Sequence, residues 1–198
     1  MTKLKQLQKL FTENRIISAS EIRSAGIPSV LLSQLVRSGE IQRISHGLYT
    51  SSNATASETW DYEVIAKRIP SGVFCLESAL RFHNLTDENP HELSITLRHG
   101  VRYPKVDYPP VKFYICSGKA FSFGIETHIC NGTDVKVYSI AKTIADCFKY
   151  RNKIGLDIAV ASLRDAVNKG VIDYNKLWEA AKVCRVSKII RPYMEAVQ

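Results

Sequence analysis

The stretch Ser18-Ala-Ser-Glu-Ile-Arg-Ser-Ala-Gly-Ile-Pro-Ser-Val-Leu-Leu-Ser-Gln-Leu-Val-Arg-Ser-Gly39 decides the reading of the chain. Ser18 and Glu21 have capping-box spacing: the serine oxygen accepts the Glu21 N–H while the glutamate reaches back to the serine N–H. A helix then runs to Ala25 and stops at Gly26, which tolerates the left-handed conformation helix ends need. Ile27 and Pro28 make a tight connection, and Ser29 is the expected N-cap of a further helix ending near Gly39. Helix, glycine-containing turn, helix is the layout of a helix-turn-helix. In its later helix, Leu31, Leu32 and Leu35 cluster on one side, leaving Ser29, Val30, Ser33, Gln34 and Arg37 on the other. That outer face is small enough for a major groove. Gln34 suits adenine, Ser33 donates or accepts, Val30 suits a thymine methyl, and Arg37 suits guanine or phosphate.

Working outward, Leu4, Leu7, Leu10 and Phe11 have helical spacing and predict a first helix over roughly residues 3–12, followed by an extended Ile16-Ile17. After the helix-turn-helix, residues 40–50 read as a hairpin with Ser45-His46-Gly47 at its tip. Arg43 and His46 then stand where a wing would meet the sugar-phosphate backbone. The sum is a winged helix-turn-helix over residues 1–52. Charge agrees: the first fifty residues hold seven Lys and Arg against three Glu, half of the chain's net +8 in a quarter of its length. A basic module suits a polyanion, and nucleic acid is the commonest one. Three short helices and a hairpin also build scaffold or dimerisation modules. The groove-sized outer face is what favours double-stranded DNA.

Residues 53–58 are small and polar and read as a linker, leaving a second domain over 59–198. A helix with Trp60, Val64 and Ile65 on its apolar side ends at Pro70. Leu76, Ala79, Leu80 and His83 form another helical face. Strands are expected over 93–97, 111–115, 125–129 and 135–138, and helices over 139–150, 156–168, 174–184 and, with Pro192 inside it, about 188–197. Strands first and helices afterwards make the whole an α+β protein.

The second domain carries few signs of chemistry. Phosphate-loop, dinucleotide, zinc-protease and nucleophile-elbow motifs are all missing, so no catalytic residue and no cofactor are expected. His83, His91, His99 and His128 are too scattered to specify a metal. His83 on an apolar face reads as a hydrogen-bonded core histidine, and Cys147 as a small buried hydrophobe. Lys142 and Asp146, four residues apart, read as a solvated helix ion pair. Five cysteines without C-x-x-C spacing, no secretory h-region and no membrane-length apolar run imply a reduced, cytoplasmic protein.

Three stretches resemble a known family. Leu76-Glu-Ser-Ala-Leu-Arg-Phe-His-Asn-Leu-Thr86, Phe121-Ser-Phe-Gly-Ile-Glu126 and above all Val137-Tyr-Ser-Ile-Ala-Lys-Thr-Ile-Ala-Asp-Cys-Phe-Lys-Tyr-Arg151, continuing into Gly155-Leu-Asp-Ile-Ala, are similar to the AbiEi-type abortive-infection antitoxins of type IV toxin–antitoxin pairs. The resemblance implies an N-terminal domain that represses its own operon at promoter inverted repeats. It implies a C-terminal domain that counteracts a nucleotidyltransferase-like toxin without needing a stable complex. Ser78, His83, Ser139, Lys142, Thr143, Asp146 and Arg151 occupy the family's polar motif positions. Many relatives have proline and arginine where this chain has Ile140 and Lys142, and lysine lacks arginine's bidentate fork. Two other functions fit the residues. One is an enzymatic antidote using Ser78, His83, Lys142 or Asp146 to modify the toxin; the other is a ligand-responsive repressor without a toxin.

Overall fold

A computed structural model describes residues 3–197. It is a mixed α and β protein in two compact units, the first reaching Pro70 and taking in Val106–Pro109 and His128–Val135, the second formed by the remainder.

The first unit opens with α1 (Lys3–Glu13), β1 (Ile16–Ser18), α2 (Ala19–Ser24) and α3 (Ser29–Ser38), followed by β2 (Ile41–Ser45), β3 (Leu48–Ser51) and α4 (Trp60–Arg68). The capping box forms as expected: Ser18 N–H donates to Glu21 Oε2 at 2.8 Å and Glu21 N–H to Ser18 Oγ at 3.2 Å. Gly26, at φ +69°, ends α2. The expected cap at Ser29 is not what forms. Pro28, with φ −66° and ψ 143°, occupies the N-cap and offers no side-chain bond, so Ser29 is the first helical residue. Proline fixes the entry angle and its carbonyl accepts from Leu31 N–H at 3.1 Å, which leaves the serine free of capping duty. Ile16-Ile17 is more than a connector. Strand β1 pairs antiparallel with β3, giving a three-stranded sheet in the order β1-β3-β2. Leu7, Ile17, Ile22, Ile27, Leu32, Leu35 and Ile41 form the core between helices and sheet.

The expected boundary at residues 53–58 falls inside this unit. Residues 54–57 are irregular, as their composition implies, but α4 returns to the sheet. Val64, packed with Ile16 and Leu48 and flanked by Trp60 and Ile44, makes a second small core. Without α4, two apolar side chains of the sheet would face water, so the helix belongs to the N-terminal unit.

The second unit is a sheet and helix layer around one helix. The five-stranded sheet comprises β4 (Val73–Phe74), β5 (Leu93–Arg98), β6 (Val111–Cys116), β7 (Ile125–Cys130) and β8 (Thr133–Tyr138), in the order β6-β5-β4-β8-β7, with residues 125–127 of β7 and 136–138 of β8 in the second unit. Strand β4 is antiparallel to β5 and parallel to β8, and β5 is parallel to β6. The middle strand β4 has two residues, too few to show any period in sequence. Helices α5 (Leu76–Phe82), α6 (Gly118–Ser122), α7 (Ile140–Lys149), α8 (Arg151–Ile154), α9 (Leu156–Asn168), α10 (Tyr174–Cys184) and α11 (Ser187–Ala196) complete it. Helix α7 is the axis: every residue from Ala141 to Phe148 is buried, and α5, α9, α10 and α11 pack against it.

Val64→Ala removes two methyls from the core that α4 builds, which should cost about 2 kcal/mol. Chemical denaturation followed by tryptophan fluorescence measures it, since Trp60 flanks the site. A cost near zero would show that α4 does not hold the N-terminal unit together.

Candidate nucleic-acid interface

Helix α3 is held by its inner side. Leu32 and Leu35 are buried with Leu7, Ile22 and Ile27, and the 3.6-residue period then turns the opposite residues outward. Ser29, Val30, Ser33, Gln34 and Arg37 are all exposed, and Val30 retains 66% of its accessible surface. Ser33 Oγ donates back to Ser29 O at 3.3 Å, so its hydroxyl presents mainly an acceptor outward. The face carries hydrogen-bonding, methyl and guanidinium groups without an acidic residue.

The hairpin beside it is tied down at the tip. Strands β2 and β3 meet at His46-Gly47, with Gly47 at φ +74° and an irregularity in register between Arg43 and Ser45. Ala19 N–H donates to Gly47 O at 2.7 Å, and Arg68 Nη1 donates to His46 O at 2.5 Å. Arg43 and His46 are exposed, and they are joined: Arg43 Nε donates to Ser45 O at 3.3 Å and Nη2 to His46 Nδ1 at 2.8 Å. The hairpin thus offers one coupled Arg–His unit of defined position.

Helix α4 adds residues that local sequence reading missed. Lys67 pairs with Glu21 at 2.5 Å and Arg68 donates to the hairpin tip, so the basic end of α4 links the capping box to the hairpin. Burial pushes the Glu21 carboxyl up, but hydrogen bonds from Lys67 and Ser18 outweigh it and hold the group below its ordinary value. A Lys-Arg pair at a helix C-terminus is a weak signal; its use here depends on where the helix docks.

Of the polar motif in the C-terminal unit, Ser78, Lys142, Thr143 and Asp146 are buried and His83, Ser139 and Arg151 half-buried. Ser78 is buried and accepts from Ser94 N–H at 2.8 Å. His83 Nε2 and Thr143 Oγ1 both donate to Tyr138 O, at 2.7 and 3.1 Å. Ser139 caps α7, and Arg151 donates to Phe148 O at 2.9 Å. The solvated Lys142–Asp146 pair expected from spacing is instead fully enclosed, with Lys142 at 0% and Asp146 at 2% exposure. The two bond directly, Lys142 Nζ lies 4.0 Å from the Tyr138 ring centroid, and Cys184 Sγ donates to Asp146 Oδ1 at 3.2 Å. Burial opposes the Lys142 charge, yet Asp146 prevails and keeps its ammonium above the ordinary value. Gly124 closes the site: a Cβ there would stand 2.8 Å from both Lys142 Cβ and Ser139 Oγ. Lys142, Thr143 and Asp146 are thus enclosed within the packing of α7, while the half-buried His83, Ser139 and Arg151 bond at its two ends.

Residues 5–52 match the model of a family described as the transcriptional regulator AbiEi antitoxin. No curated protein matches the chain. A crystal structure of the RV2827C protein from Mycobacterium tuberculosis superposes with a TM-score of 0.61 at 12% identity, covering 100% of this chain and 81% of that one. At that identity the likeness shows the fold alone. Among the described residues no helix is long and apolar enough to cross a membrane.

Asp146→Asn leaves the buried ammonium without its counter-charge and should cost about 3 kcal/mol or more, whereas Lys142→Met with Asp146→Leu should cost far less. Urea titration of the two variants decides it; equal losses would contradict an enclosed pair. Alkaline stability follows from the same core. Burial, then Asp146, push the Cys184 thiol from 9.0 up to about 12. The folded state therefore holds this proton more tightly than the unfolded chain. Its stabilisation is complete below about pH 9 and is lost as pH rises towards 12. Denaturation midpoints at about pH 7 and about pH 11 should differ accordingly, and an unchanged midpoint would refute the assignment.

Proposed function

We propose, from an N-terminal module of the AbiEi antitoxin type, that the chain is a DNA-binding autorepressor and antitoxin. The observation that carries the reading is the outward face of α3, free of acidic groups and set beside the Arg43–His46 hairpin. Its shape and chemistry support insertion into a major groove, with Gln34 and Val30 reading base edges and Arg37 reaching guanine or phosphate. Arg43 and His46 contact the backbone and set the register. Promoter inverted repeats present two half-sites, so two copies bind.

The C-terminal unit, in this reading, counteracts a cognate nucleotidyltransferase-like toxin in the cytoplasm, in the manner of a type IV pair that needs no stable complex. Ser78, Lys142 and Asp146 are enclosed, and the half-buried His83 is bonded to Tyr138 O; this placement supports a non-enzymatic antidote.

Fluorescence anisotropy on the chain's own upstream DNA and on scrambled DNA separates the roles. Arg43→Ala should weaken both by a similar factor and make the log–log salt slope shallower by about 0.9 per lost phosphate contact. Gln34→Ala should reduce discrimination, at a cost of about 1–3 kcal/mol on specific DNA alone. Equal affinity of the unaltered protein for both DNAs at moderate salt would refute sequence-specific repression.

A further inference from the structure

The ammonium of Lys3, at the start of α1, has a defined place. A Cβ at Gly26 would stand 3.3 Å from Lys3 Nζ, so the side chain reaches across to the turn that joins α2 to α3. Gly26 has φ +69° and is exposed, as is Lys3 itself. The ammonium is not needed to cap the helix that ends there. The last carbonyls of α2 are already taken: Glu21 O accepts from Ala25 N–H at 3.0 Å, Ile22 O from Ile27 N–H at 3.2 Å and Arg23 O from Gly26 N–H at 2.9 Å. Among the described residues no carboxylate forms an ion pair with Lys3. Residues 22–39 contain no Asp or Glu, and Arg23, exposed in the last turn of α2, adds a second positive charge at the same end.

Helix α2 sets the distance between this charge and the hairpin. At its first residue, Ala19 N–H holds the hairpin through Gly47 O; beyond its last turn lies Gly26, with Lys3 against it. The hairpin and the Lys3 ammonium therefore mark opposite ends of α2. Between Ala19 and Gly26 a helix rises about 10 Å. A B-DNA major groove is about 12 Å wide. A recognition helix enters that groove with its N-terminal residues on the base edges. Ser29 and Val30, the first residues of the outer face of α3, follow closely on Gly26 in the chain. With these two at the bases, the ends of α2 stand at the two walls of the groove.

We propose that Lys3 contacts a DNA phosphate on the strand across the major groove from the one that Arg43 and His46 contact. The inference rests on the DNA-binding reading and adds to it the second wall of the groove. A flexible ammonium suits the task, since a phosphate there needs only a point charge and base reading is left to α3. Gly26 leaves it room: a side chain at that position would be strained at its φ and would press on the ammonium.

Fluorescence anisotropy of the full chain on its own upstream DNA, with single phosphates replaced by neutral methylphosphonates, tests it. Lys3→Gln should weaken specific and scrambled DNA by a similar factor and make the log–log salt slope shallower by about 0.9. The variant should also become indifferent to one methylphosphonate that weakens the unaltered protein. That position should lie on the strand opposite the one where Arg43→Ala becomes indifferent. Lys3→Arg keeps the charge and should restore both properties. An unchanged salt slope, with or without a fall in thermal stability, makes Lys3 a structural residue and overturns the inference. Loss of sensitivity on the same strand as Arg43→Ala overturns it as well, and both outcomes leave the DNA-binding reading standing. Unaltered protein that binds its upstream DNA no better than scrambled DNA overturns the two together.

Discussion

The N-terminal unit depends on the seating of Leu32 and Leu35 in a core of seven buried apolar side chains. Two leucines three residues apart fix the rotation of α3 about its own axis, and helical periodicity then determines what faces solvent. The outward set of Ser29, Val30, Ser33, Gln34 and Arg37 is therefore a consequence of packing. The hairpin is constrained from two sides, by Ala19 on its glycine and by Arg68 on its histidine carbonyl. Recognition surfaces of this kind work when their groups are held before the ligand arrives, because less side-chain freedom is lost on binding.

A different constraint governs the C-terminal unit. An ion pair with no solvent contact sits in the middle of α7, flanked by an aromatic ring and a thiol. Such a pair is weak evidence for stability, since two hydrophobic residues often do as well. The packing around it is close: a Cβ at Gly124 would stand 2.8 Å from both Lys142 Cβ and Ser139 Oγ, so only glycine fits against this part of α7.

Local patterns made the N-terminal unit readable. A capping box, a glycine stop and two leucines are short-range signals, and α2, α3 and the outward face follow from them. Ser29 does not cap α3 because Pro28, one residue earlier, already sets the helix entry. What was not legible depended on tertiary placement. The docking of α4 onto β1 and β3 leaves no mark in residues 58–70 beyond ordinary amphipathicity. The two-residue strand β4 has no period to detect. The burial of Lys142 and Asp146 did have a signal. Ala141, Ile144, Ala145, Cys147 and Phe148 surround the pair, and a helix apolar on every side is an interior helix.

DNase footprinting on the DNA upstream of the chain's own reading frame, comparing the unaltered protein with Val30→Glu, tests the central claim most directly. Val30 touches solvent over most of its surface, so the substitution leaves the core intact and places one negative charge on the outer side of α3. A protected site that disappears in the variant, with unchanged thermal unfolding, is the predicted result. Protection identical in the two proteins, or none in either, would contradict recognition through this helix.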